Sequence, residues 1–155
     1  MKKLLLIIAV TLVTTAAPAL GATAPQYWGG EMGRNLPGAT MTFKVVDGRV
    51  TDLQAEVRIR CHAAGGGPAP NSRLIDLHGP MAIEAGVFED TKSVFDGGKS
   101  KVEGTFITTA SAVGFYKARF RLDDIRHDYV RVCHTGKQDW TATPLSKRDW
   151  QELRD

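Results

Sequence analysis

Residues 52–62 constrain this chain more than any other segment. Leu53, Ala55, Val57, Ile59 and Cys61 occupy every second position, and Asp52, Gln54, Glu56, Arg58, Arg60 and His62 fill the places between and beside them. Successive side chains alternate faces only along an extended strand. Five apolar residues in strict period two therefore demand a strand with one face on a core and the other in water. Half-buried strands of this kind belong to antiparallel sheets.

The same signal recurs on a shorter scale. Met41, Phe43 and Val45 alternate with Thr42 and Lys44. Asp47-Gly48 follows, a pair suited to a two-residue hairpin turn because both of its positions need positive φ. Residues 74–78, 81–84, 87–89, 101–108, 112–122, 129–133 and 137–143 read as further strands, with 93–95 a weaker one. Within 112–122, Tyr116, Ala118, Phe120 and Leu122 share a face, and Lys117, Arg119 and Arg121 share the other. Thr135-Gly136 reads as the turn of a final strand pair. Residues 63–70, with Gly65, Gly66, Gly67 and two prolines, read as a loop. About eight short strands spaced by about ten residues predict an all-β antiparallel sandwich or barrel. One short helix is expected after Pro144. Ser146 is placed to cap it, Asp149 to complete a capping box, and Trp150 and Leu153 to share its inner face.

The first 24 residues have a different logic. Lys2 and Lys3 precede an apolar run from Leu4 to Val13, and small residues follow through Ala24. This is the layout of a bacterial secretory signal, with a cut expected between Ala19 and Ala24. The run is about half the length needed to span a bilayer, so no membrane anchor is expected after the cut. The mature chain, 25–155, suits one domain and a monomer. Without Lys2 and Lys3 the 20 Lys and Arg fall to 18, against 17 Asp and Glu. No dense basic block remains along the sequence, so nucleic acid is not an expected partner.

Export also bears on Cys61 and Cys133, the only two cysteines. An even count in an oxidising compartment predicts a disulfide. Closing a loop of roughly 70 residues is worth about 4 kcal/mol by chain entropy. Each cysteine is followed by a histidine, His62 and His134. If the bond joined neighbouring strands, the two imidazoles would meet on the outer face as a metal or pH-sensitive patch. If it crossed the core between sheets, they would emerge on opposite surfaces. The sandwich layout favours the second geometry.

Catalytic signatures are missing. No Gly-x-Ser-x-Gly turn is present, and no Cys-x-x-Cys, His-x-His or His-x-x-x-His pair occurs among His62, His78, His127 and His134. The acidic pairs Glu89-Asp90 and Asp123-Asp124 read as strand ends or turns. Trp28, Trp140 and Trp150 are candidates for a sugar-binding platform, although Trp140 lies in an alternating strand and reads as core. No catalytic residue, metal or other cofactor is assigned.

Several stretches form a wider pattern. They are Tyr27-Trp28-Gly29, the strand ending in Cys61, Val102-Glu103-Gly104-Thr105-Phe106, and Cys133-His134-Thr135-Gly136 followed by Trp140-Thr141-Ala142. In these the chain resembles small exported β-sandwich proteins of actinobacterial type. The resemblance implies the fold and the disulfide and brings no activity with it. The expected role is a non-enzymatic binding module for a protein or carbohydrate ligand, secreted or held in the periplasm or cell envelope. The alternatives are a secreted hydrolase and a structural envelope component. The loops 63–70 and 29–40 are the expected binding segments, since function on such scaffolds concentrates in loops.

Overall fold

A computed structural model describes residues 24–33, 38–63, 72–94, 97–124 and 129–155. The apolar leader, most of the 63–70 loop, the centre of the 29–40 segment and His127 lie outside the described residues. The strands are β1 (Gln26–Glu31), β2 (Thr40–Val46), β3 (Arg49–Ala63), β4 (Ser72–His78), β5 (Met81–Ala82), β6 (Val87–Val94), β7 (Gly98–Thr108), β8 (Ser111–Asp124), β9 (Tyr129–His134) and β10 (Gln138–Leu145). One helix, α1 (Lys147–Glu152), follows. Every strand pairing is antiparallel. Among the described residues, no helix is long and apolar enough to cross a membrane. A cut anywhere between Ala19 and Ala24 would leave β1 intact.

Of the two expected architectures, the chain adopts the barrel. Pairing runs β10-β1-β2-β3-β9-β8, and β8 pairs again with β10, so six strands close a ring. Strands β7 and β6 extend from β8, and β4 and β5 pair with β3. The long strands β3 and β8 make this possible, because each serves different neighbours along its length.

Local sequence explains the corners. Asp47 and Gly48 both have positive φ, at 48° and 70°, and join β2 to β3 across the Val46–Arg49 pair. Ala85-Gly86 makes a second turn of this kind, at φ 50° and 81°, under the Glu84–Val87 bridge. Asp52, at φ 49°, is the extra residue of a bulge between the Thr42–Gln54 and Lys44–Thr51 pairs. Beyond that bulge Leu53, Ala55, Val57, Ile59 and Cys61 are all buried, but the expected water face of β3 is found only in its second half: Arg58, Arg60 and His62 are exposed, whereas Gln54 and Glu56 are buried too. Ser146 caps α1, its Oγ accepting from the Asp149 N–H at 3.1 Å. Trp150 is buried by this helix against Tyr27, with ring centroids 5.4 Å apart.

The core is aromatic. Trp28 stacks on Phe43 at 5.8 Å, and Phe88, Phe106 and Trp140 complete the cluster. Gly104 and Gly114 are paired across β7 and β8, and the Trp140 ring lies over both. A Cβ on Gly114 would fall 2.5 Å from that ring, so the glycines make room for the indole.

Other expectations fail as well. The expected loop 29–40 begins inside a strand, because Gly29, Gly30 and Glu31 belong to β1 and pair with Thr42, Met41 and Thr40. Thr135-Gly136 is not a hairpin turn. Both β9 and β10 run antiparallel to the same strand, β8, with His134 opposite Arg119 and Gln138 opposite Tyr116. Four steps on one strand match three on the other, so 135–137 absorb one extra residue and the chain continues in line. Gly136, at φ 67°, takes the left-handed position. Thr135 bridges the gap by donating its N–H to the Ala118 carbonyl at 3.1 Å and accepting the Ala118 N–H on its hydroxyl at 2.9 Å.

The disulfide is present, but it does not cross the core. Cys61 and Cys133 are direct partners on the neighbouring strands β3 and β9, with Cα atoms 4.0 Å apart. The favoured two-sheet geometry rested on a sandwich; in a closed ring β3 and β9 meet. The bond closes a loop of 72 residues. The double variant Cys61→Ala/Cys133→Ala should lose about 4 kcal/mol of unfolding free energy. The intact oxidised protein should weigh about 2 Da less than the reduced form. Equal stability of variant and wild type in denaturant titration would show that the seam does not need its covalent link.

Candidate functional site

Two polar constellations stand out, one buried and one exposed. The buried one begins on β4, whose apparent apolar pattern is inverted. Leu74, Asp76 and His78 face inward, while Ile75 and Leu77 are each 56% exposed. The inward polar groups are accommodated because partners converge on them from β6, β7 and β8. Tyr116 donates its hydroxyl to Asp76 Oδ2 at 2.8 Å. His78 Nε2 lies 3.0 Å from the same oxygen, and Lys92 Nζ lies 2.6 Å from Oδ1. Lys92 also donates to the Leu77 carbonyl. His78 Nδ1 meets Asp90 Oδ2 at 2.8 Å, and Ser100 Oγ lies 3.1 Å from His78 Nε2.

Burial by itself pushes the Asp76 carboxyl up. Hydrogen bonds from His78, Lys92, Ser100 and Tyr116 outweigh it and hold the group well below the usual carboxylate range. Tyr116 moves the other way: burial and then the Asp76 charge raise its phenol, so it remains a donor.

Ser100, His78 and Asp90 occur in the order of a hydrolytic triad, which makes the hydrolase alternative worth testing against geometry. A serine nucleophile needs the nearer imidazole nitrogen as a base. Here that nitrogen is shared, because Nε2 lies 3.0 Å from Asp76 Oδ2 as well as 3.1 Å from Ser100 Oγ, so the hydroxyl competes with a carboxylate for it. Burial is also reversed. Ser100 is 1% exposed and the His78 side chain is wholly buried, whereas Asp90 and Lys92 are about one-third exposed. A substrate arriving from solvent would meet the acid and the lysine before the hydroxyl. The network is a strut between β4 and the β6–β8 sheet.

The exposed constellation lies on the outer face of β7, β8 and β9, extended by the end of β3. Lys99 pairs with Arg119, Arg119 with His134, and His134 with Arg60. These register partners form one row across four strands, spaced by about 4.8 Å and spanning about 14 Å. A second like-charged pair, Lys101 and Lys117, lies beside it. A groove of about 530 Å³ runs along this face, lined by Lys99, Lys101, Lys117, Arg119, His134 and Lys137, among others. It adjoins a second groove of about 540 Å³ that shares Lys99 and Arg119 and adds Arg121. Glu89 and Glu103 both pair with Lys101, at 3.0 and 3.1 Å, and Asp139 pairs with Lys137 at 3.4 Å. Among the described residues no carboxylate pairs with Lys99, Lys117 or Arg119. Like charges directly opposite on a sheet are destabilising. The fold tolerates that repulsion twice in succession here.

Along the sequence the charges read as mixed, yet the sheet gathers the basic ones. His62 and His134 also come together, with ring centroids 5.6 Å apart and planes 21° from parallel. This is the outcome of the neighbouring-strand geometry. Among the described residues no three His, Cys, Asp or Glu side chains converge as a metal site. The tryptophans form no sugar platform, because Trp28, Trp140 and Trp150 are all buried. Lys44 and Arg154 lie over the Trp150 ring at 4.7 and 4.3 Å. Glu89 and Asp90 lie within β6 rather than at a turn. Asp123 and Asp124 close β8.

Asp76→Asn keeps the shape of the buried hub and removes its charge. It should cost about 3 kcal/mol, as expected when one partner of a buried pair is lost. The folded-state carboxyl titrates below the unfolded value of about 3.9, so its stabilisation is fully present above that value and is lost as pH falls through the lower folded one. Wild type should therefore lose stability steeply below about pH 4, and Asp76→Asn should lose less over the same interval. Parallel acid-unfolding curves would contradict this role.

No family model, no curated protein and no solved structure matches the chain.

Proposed function

We propose that this chain is an exported, non-enzymatic binding module that holds an anionic polysaccharide on the outer face of β7, β8 and β9. The observation that carries the reading is the row Arg60–His134–Arg119–Lys99, assembled by strand register from three distant parts of the chain. A row of cations at regular strand spacing fits a ligand whose negative charges also repeat. Such a ligand would relieve the repulsion between opposed like charges.

The surroundings favour a polysaccharide over other polyanions. Single-stranded nucleic acid is usually held by exposed aromatic rings on which bases stack. Here the tryptophans are buried, and Lys101 and Lys137 lie over Phe115 at 5.7 and 4.9 Å. Exposed Ile75 and Leu77 lie on β4, outside the cationic grooves. The leader-like N-terminus and the disulfide support an extracytoplasmic setting. The resemblance to exported actinobacterial β-sandwich proteins points to the same setting and adds no ligand.

Lys117→Glu/Arg119→Glu reverses two exposed charges on the face. Wild type should be retained on a heparin matrix and released by salt, because mobile ions screen exposed charges. The double variant should elute at markedly lower salt. Lys147→Glu/Arg148→Glu, on α1, should elute close to wild type. Equal losses in the two variants would reduce the interaction to net charge and remove the site. Ester or glycoside turnover that disappears in Ser100→Ala would overturn the non-enzymatic reading.

A further inference from the structure

The stacked histidines lie at the centre of the cationic row and have no role in the buried network. His134 is a register partner of both Arg60 and Arg119, and His62 leans against it from β3. We infer that His62 and His134 form a subsite for one sulfate or phosphate ester group of the ligand, and that this subsite works when the imidazoles are protonated. The inference rests on the polysaccharide-binding reading and adds to it the ester class and a pH condition.

The physical argument is one of charge. Two neutral imidazoles stack without conflict. Two imidazolium rings with centroids 5.6 Å apart repel each other and the neighbouring guanidinium groups. A tetrahedral ester oxyanion presents several acceptor oxygens, so it can take an N–H from each ring and cancel the repulsion. Protonation and anion binding therefore favour each other, and the coupling is reciprocal. Histidine is the side chain whose charge ordinarily changes between about pH 5 and 8.

The groups that face the pair are mostly cationic. Arg60 comes from β3, Arg119 and Arg121 from β8, Lys99 from β7, and Lys137 from the bulge after β9. Among the described side chains, the carboxylates on this face, Glu89, Glu103 and Asp139, are engaged by Lys101 and Lys137. The 64–71 segment that follows His62 contains no ionisable side chain. Among the described residues a divalent cation would face this cationic ring with only two nitrogen ligands in view, so the surroundings select an anion.

The test uses a heparin-derived oligosaccharide, whose sulfates keep constant charge between pH 5.5 and 8. Calorimetric affinity of the mature protein should rise roughly three- to tenfold as pH falls across that interval, as expected for two added charges at partly exposed sites. His62→Gln/His134→Gln should show nearly the same affinity at pH 8 and at pH 5.5, so that the three- to tenfold rise of wild type is lost. Thermal melts of the variant check its folding, and the single variants His62→Gln and His134→Gln should each show part of the pH response. Wild-type affinity that is flat with pH would sink the histidine subsite while leaving the cationic face intact. No binding at either pH would sink both. Zinc binding at micromolar concentration by wild type and not by the double variant would assign the pair to a metal instead.

Discussion

The barrel closes at a seam of four residue pairs between the end of β3 and β9, with Cys61–Cys133 inside it. Four of the other links in the ring are longer, running to six pairs between β1 and β2 and between β2 and β3. The seam is the second-shortest link in the ring, after the three-pair contact of β1 with β10. It is also the one with a covalent bond. It brings β3 against β9 and so extends the row of β7 and β8 cations to Arg60. It also decides that His62 and His134 share a surface. A disulfide across two sheets would have separated them by a core about 10 Å thick.

Opposite kinds of electrostatics are handled on the two sides of the β6–β8 sheet. Inside, Asp76 is surrounded by donors, and every charge in the strut has a partner. Outside, Lys99, Lys117 and Arg119 lie among cations. A buried charge without partners is costly, whereas an exposed one is cheap because water and salt screen it. The inner cluster is therefore organised for stability. The outer cluster carries an unspent attraction for anions, and this contrast separates the binding reading from the hydrolase alternative. The hydroxyl–imidazole–acid series exists, but on the side of the sheet where a substrate would find only its acidic end.

The strands were largely legible because period-two alternation is local. The apolar positions from Leu53 to Cys61, Met41 to Val45 and Tyr116 to Phe120 are buried as their spacing implies, while the burial of Thr42, Gln54 and Glu56 between them was not signalled. Asp47-Gly48 turns as its backbone preference requires, and Ser146 caps its helix. Properties that depend on partners were not legible. Nothing local distinguishes Thr135-Gly136 as a bulge from the same dipeptide as a turn, since the difference lies in which strand β10 joins. In β4 the apolar Ile75 and Leu77 face outward because Asp76 and His78 have donors and acceptors waiting inside. Asp76 and His78, spaced two apart on either side of Leu77, were the available clue. The cationic row was invisible because Arg60, Lys99, Arg119 and His134 are neighbours only through register.

The central claim, that the outer face of β7, β8 and β9 is the ligand-binding surface, is most directly tested by residue-resolved mapping. Backbone amide chemical shifts of the isotope-labelled protein can be followed while a sulfated oligosaccharide is added. The account places the largest changes at residues 99–101, 117–121 and 132–137, with little change in β1, β2 or α1. Saturable changes centred on β4 or on α1 would contradict it, as would no saturable change at low salt.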